Sequence, residues 1–136
     1  MRIVLTVGVF DLLHWGHFEL FRRCRELAGA DGRVIVAVQE DVVVTRYKPQ
    51  AKLVYDWEKR VKMIRALRFV DDVVPYEDVD ESIKRIDFST FVVGTDQSHA
   101  GFQRAMQWCR ENGREVIVLE RTQGISSSQL RIGGLR

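Results

Sequence analysis

Arg2-Ile3-Val4-Leu5-Thr6-Val7-Gly8-Val9 runs without a break into Phe10-Asp11-Leu12-Leu13-His14-Trp15-Gly16-His17. The first half is apolar and β-branched and reads as a buried strand. The second half leads into His17–Ala28, where Leu20, Phe21, Cys24, Leu27 and Ala28 fall on one helical stripe. A strand thus turns directly into a helix. The mouth of that helix presents unpaired backbone N–H groups and the positive end of the dipole, which together attract an anion. Gly8 lets the backbone approach a phosphate closely, and Gly16 lets the chain turn tightly at the helix start. His14 and His17 are three apart and can share one side of the turn. Imidazoles there would donate to phosphate oxygens as charge builds in a transition state. Two other readings of His-x-x-His stand beside this one. It could be a metal pair, for which only Asp11 lies close in sequence, or two turn histidines with a structural role.

Working outward, strand-like runs and helical patterns alternate. Gly29-Ala30-Asp31-Gly32 ends the first helix, and Arg33–Gln39 is a second apolar strand. Glu40–Tyr55 shows no clear period and reads as a long functional loop carrying Arg46, Lys48 and Lys52. Asp56–Leu67 is expected as a helix capped by Asp56, Asp72–Pro75 as a short strand and Asp80–Arg85 as a short helix. Phe91–Gly94 closes another strand, Gly101–Asn112 is helical, Glu115–Leu119 is the last strand and Ser126–Ile132 a final short helix. Alternating buried strands and helices imply an α/β fold with a parallel sheet covered on both faces. Right-handed crossovers make it a Rossmann-like doubly wound sheet, which binds ligands at the carboxyl ends of its strands.

Composition narrows the classes. The 136 residues are 46% hydrophobic and 29% charged, enough for one domain spanning 1–136. A net charge of +2 gives no ground for a nucleic-acid or membrane partner. The first apolar run is broken by Asp11, too early for a membrane span or a cleavable leader. Cys24 and Cys109 are far apart and lack metal spacing, as expected for reduced, buried thiols in a cytoplasmic protein.

Three further segments carry candidate chemistry. Arg121-Thr122-Gln123-Gly124-Ile125-Ser126-Ser127-Ser128 follows the last strand. Serines at a helix start cap free N–H groups, and the same groups with Arg121 can hold a triphosphate; the plain alternative is an N-cap beside a surface arginine. Lys48 and Arg46 on the long loop suit outer phosphates, though most charge runs are only solvated. Arg60, in the helix after that loop, is either a substrate contact or an exposed helix residue. Gly94-Thr95-Asp96-Gln97 ends a strand where a ligand would need room, and Asp96 is equally suited to cap the next helix.

Taken together, GVFDLLHWGH, the basic loop, the Glu58-Lys59-Arg60 helix and RTQGISSS resemble the cytidylyltransferase family, most closely its glycerol-3-phosphate branch with GTFDLLHWGH and RTEGISTT. The resemblance runs over nearly the whole chain and implies a nucleotidyltransferase of the HxGH type. It further implies CTP and a phosphorylated small alcohol as substrates, substrate-bound Mg2+ with no protein metal ligand, and a homodimer. It assigns catalysis to His14, His17, Lys48 and Arg121. It carries phosphate contacts onto Arg46, Arg60, Thr122, Ser126 and Ser127 as well; with the readings above, nucleotide binding is expected of Gly8, Val9, Phe10, Gly16, Arg46, Gly94, Asp96, Thr122, Gly124, Ile125, Ser126 and Ser127, and substrate binding of Asp11 and Arg60. Val9 stands where the family has threonine, the basic loop has a different lysine pattern, and Gly94–Gln97 lacks the family's GDDW. Enzymes of the same fold adenylylate flavin mononucleotide or sugar phosphates, and a nucleotide-binding module without turnover is a further alternative.

Overall fold

Residues 1–50 and 52–120 are described by the structure, a computed structural model. Five strands form one parallel sheet: β1 (Ile3–Gly8), β2 (Arg33–Gln39), β3 (Asp72–Tyr76), β4 (Thr90–Gly94) and β5 (Glu115–Leu119), in the order β3-β2-β1-β4-β5. The order reverses between β1 and β4, which makes their carboxyl ends the switch point of the sheet.

The inner strands β1, β2 and β4 are buried on both faces because helices cover both. On one side α1 (Trp15–Ala28) and α3 (Trp57–Arg65) bring Phe21, Cys24, Val61 and Ile64 against Val4, Val34, Val36 and Val92. On the other, α4 (Val79–Ser82) and α5 (Ala100–Glu111) bring Val79, Phe102, Ala105 and Met106 against Leu5, Val7, Phe91 and Val93. Successive strand residues point to opposite faces, so one apolar run feeds two cores. Burial also accounts for the cysteines: both are free and buried, and desolvation pushes the Cys24 thiol up to about 12 and the Cys109 thiol up to about 11. Among the described residues, no helix is long and apolar enough to cross a membrane.

Helix boundaries follow their caps. Asp56 accepts the Lys59 N–H at 3.0 Å and starts α3. Gly29, at φ 75°, ends α1 with its N–H on the Arg25 carbonyl.

Two expectations need correction. Residues 40–55 are not all loop, since α2 (Asp41–Tyr47) lies inside them. Its Val42-Val43-Val44 run has poor helix propensity, but Val43 and Val44 bury themselves and their N–H groups bond the Glu40 carbonyl at 3.1 Å. Helix α1 starts at Trp15 rather than His17, for a reason that belongs to the site. The helix expected over Ser126–Ile132 lies outside the described residues.

Candidate active site

His14 is the N-cap of α1. Its backbone is extended, and its Nδ1 accepts the Gly16 N–H at 3.0 Å. The His14 N–H in turn donates to Nδ1 of His17 at 3.3 Å. This is a capping box in which two imidazoles do the work usually done by a hydroxyl and a carboxylate. The rings stack, with centroids 3.9 Å apart and planes at 22°. A nitrogen that accepts a backbone N–H carries no proton of its own, so each neutral ring keeps its proton on Nε2. The cap therefore fixes both orientation and tautomer, and puts the ring proton of each histidine on Nε2 at the mouth of a helix.

The chain reaches this cap through a constrained turn. Phe10 has φ 53°, the only non-glycine residue at positive φ among those described. Its ring meets His17 edge-on at 5.2 Å and Phe21 at 5.3 Å. A Cβ on Gly8 would lie 2.8 Å from Phe10 Cζ, so glycine at position 8 makes room for the ring that props His17. A depression of about 230 Å³ opens beside the histidines, walled by Leu13, Trp15, Phe18 and Leu67. Gly16 sits in the first turn of α1, and Val9 supplies a backbone carbonyl rather than a hydroxyl.

Asp11 and Arg60, expected as substrate contacts, are both buried and bonded to backbone groups. The Asp11 carboxylate is buried and accepts the N–H groups of Val54 at 2.8 Å and Tyr55 at 2.9 Å. Arg60 is 0% exposed. Its guanidinium donates to the carbonyls of Val9 at 2.7 Å, Gln39 at 3.0 Å and Tyr55 at 3.2 Å, and pairs with Asp41. Asp41 also accepts the Trp57 N–H at 3.0 Å. These groups tie the ends of β1 and β2 to the segment entering α3. Sequence reasoning missed Asp41; its signal was an acidic residue two positions past a strand, in the first turn of a helix.

Arg46 and Lys48 are exposed at the C-terminal end of α2, which the neighbouring Tyr47 anchors through a hydroxyl bond to Asp78. Across the switch point Gly94 ends β4, and an Asp96 carboxylate oxygen lies 2.7 Å from where a Gly94 Cβ would stand. The structure thus brings Gly8, Phe10, His14, Gly16, His17, Gly94 and Asp96 to the carboxyl ends of the two central strands. Lys52 is exposed. Arg121, Thr122, Gly124, Ile125, Ser126 and Ser127 lie outside the described residues.

A histidine-capped helix at a Rossmann-like switch point fits phosphate chemistry, and comparison with known proteins agrees. A family model described as Cytidylyltransferase-like matches residues 5–132. The chain belongs to the cytidylyltransferase-like family. It is 34% identical over 134 residues to a glycerol-3-phosphate cytidylyltransferase of Staphylococcus aureus, covering 96% of this chain and 93% of the relative. The corresponding protein of Bacillus subtilis is 33% identical over 140 residues, with 99% and 100% covered. A solved structure of a lipopolysaccharide core biosynthesis protein from Thermoplasma volcanium superposes with a TM-score of 0.70 at 22% identity, covering 90% of this chain and 97% of that one. At that identity the likeness is one of fold. Within this cytidylyltransferase-like chain the matched span includes the HxGH segment and the Arg121–Ser128 segment.

Proposed function

We propose that the protein transfers the cytidylyl group of CTP to glycerol 3-phosphate, giving CDP-glycerol and pyrophosphate. The observation that carries this reading is the histidine capping box. It holds two Nε2 donors in one stacked geometry at a helix N-terminus beside the switch point. The full-length relatives named for that activity supply the identity of the substrates.

In the reaction a phosphate oxygen of the acceptor attacks the α-phosphorus of CTP in line. A new oxygen–phosphorus bond forms, the bond to the β-phosphate bridge breaks, and pyrophosphate leaves with the electron pair. The attacking phosphate is already anionic near neutral pH, so no strong base is required. Catalysis then rests on positioning and on stabilising charge. His14 and His17 donate to the α- and β-phosphate oxygens. Lys48 and Arg121 hold the departing pyrophosphate, with Arg46 and the Thr122–Ser127 segment around the nucleotide phosphates.

The donors present suit Mg2+ carried by the substrate. The nearest buried carboxylate, Asp11, already spends both oxygens on backbone N–H groups. When bound on the triphosphate, the cation would neutralise phosphate charge. We further propose a homodimer, on the resemblance, and a cytoplasmic protein, on its two reduced, buried cysteines.

The test is pyrophosphate release screened over four nucleoside triphosphates and a panel of phosphorylated alcohols. The reading requires turnover with CTP and glycerol 3-phosphate above all other pairs. ATP turned over well ahead of CTP would place the protein among adenylyltransferases.

A further inference from the structure

At the switch point the two central strands are joined by a side chain. β1 and β4 pair only from Val4↔Thr90 to Thr6↔Val92. Beyond that, β1 stays paired to β2 as far as Gly8, and β4 to β5 as far as Gly94. The side-chain amide of Gln97 spans the gap. Its Nε2 donates to the Val7 carbonyl at 2.9 Å, and its Oε1 accepts the Gly94 N–H at 3.0 Å. The Gln97 backbone N–H donates to the Gly94 carbonyl at 3.0 Å and closes a turn over Gly94–Gln97. That turn carries Asp96.

We propose that Gln97 is a positioning residue. Its amide sets the separation of β1 and β4 at the cleft and holds the Gly94–Asp96 turn in place for the nucleotide. The proposal rests on the nucleotidyl-transfer reading above. The site demands a donor toward β1 and an acceptor toward β4, which one primary amide supplies. Methionine has similar length and offers neither. A glutamate carboxylate would confront the Val7 carbonyl with a second acceptor, whereas protonated glutamate restores one donor and one acceptor. Gln97→Glu is therefore a reversible version of the same lesion.

The experiment compares wild type, Gln97→Met and Gln97→Glu by isothermal titration with CTP, with KM for both substrates and Tm alongside. Loss of the bridge should weaken CTP binding about tenfold in Gln97→Met, the size of one net hydrogen bond, with the acceptor KM unchanged. Gln97→Glu should bind CTP poorly at about pH 8 and recover toward wild type as the carboxyl protonates near pH 5, a recovery the methionine variant lacks. Unchanged CTP affinity in Gln97→Met overturns the proposal. So does equal weakening toward both substrates, or a Gln97→Glu variant indifferent to pH. Hydrogen exchange of the Gly94 N–H separates this failure from failure of the functional reading. If wild type neither binds CTP nor releases pyrophosphate, the reading falls. Faster exchange at Gly94 in Gln97→Met, with Val4 and Leu5 unaffected, still supports the positioning role, and unchanged exchange refutes it.

Discussion

Replacing Arg60 with alanine withdraws its donors from three carbonyl groups, those of Val9, Gln39 and Tyr55. Each buried acceptor left unpaired costs about 1–3 kcal/mol, less where water fills the vacated space. Asp41 also loses its ion pair, but it keeps the Trp57 N–H, its side chain is 42% exposed and water resolvates it, so its share is small. Three such acceptors come to roughly 3–5 kcal/mol, the lower part of their summed range, because water enters the vacated space. Against a whole-domain stability of roughly 5–15 kcal/mol, that is a large fraction. Tm should fall by roughly 10–20 °C for a chain of this size. Arg60→Lys should fall between the two, because one ammonium cannot reach all four partners. Urea and thermal unfolding, followed by circular dichroism without substrates, measure the effect. An Arg60→Ala protein that melts like wild type yet loses turnover would refute the reasoning and return Arg60 to the substrate.

Lys48→Ala should weaken CTP binding and leave CMP binding nearly unchanged, since CMP lacks the outer phosphates; equal weakening in titrations of both would contradict a role at the triphosphate. Cys24 and Cys109, whose thiols burial pushes up to about 12 and about 11, should react with a thiol reagent at neutral pH only as fast as the protein unfolds, and rapid labelling of the native protein would contradict their placement. Asp56 is held below the usual carboxylate range, first by the Lys59 backbone N–H that it caps. A depressed folded-state pKa stabilises above the unfolded value and ceases to as pH falls through the folded one. Asp56→Ala should therefore lower Tm at neutral pH, with the gap to wild type closing in acid.

Local patterns carried most of the fold. The boundaries of β2 and β5 stand as read, because apolar runs flanked by turn residues specify buried strands without long-range information. The helix mouth bearing His14 and His17 was legible for the same reason. What was not legible depends on distant partners. Val42–Val44 lacks a period and favours strand, and only burial of Val43 and Val44 makes it helical. Arg60 sits in a charged run that looks solvated, yet it reaches a carbonyl 51 positions away. Gln97 looks like a turn residue until the sheet brings Val7 beside it, 90 positions away. The capping role of the histidines was hidden too, since imidazole is an uncommon cap.

His14→Asn tests the central claim most directly. Asparagine is among the best N-caps, and its side-chain oxygen can accept the Gly16 N–H as Nδ1 of His14 does. Its amide NH2 is a donor, but it falls one bond short of the position that Nε2 occupies. The variant thus separates the cap from the chemistry. With CTP and glycerol 3-phosphate saturating, kcat should fall at least about 100-fold while Tm stays close to wild type. Near-normal turnover in the folded variant would contradict the account and make the histidine pair a cap and nothing more.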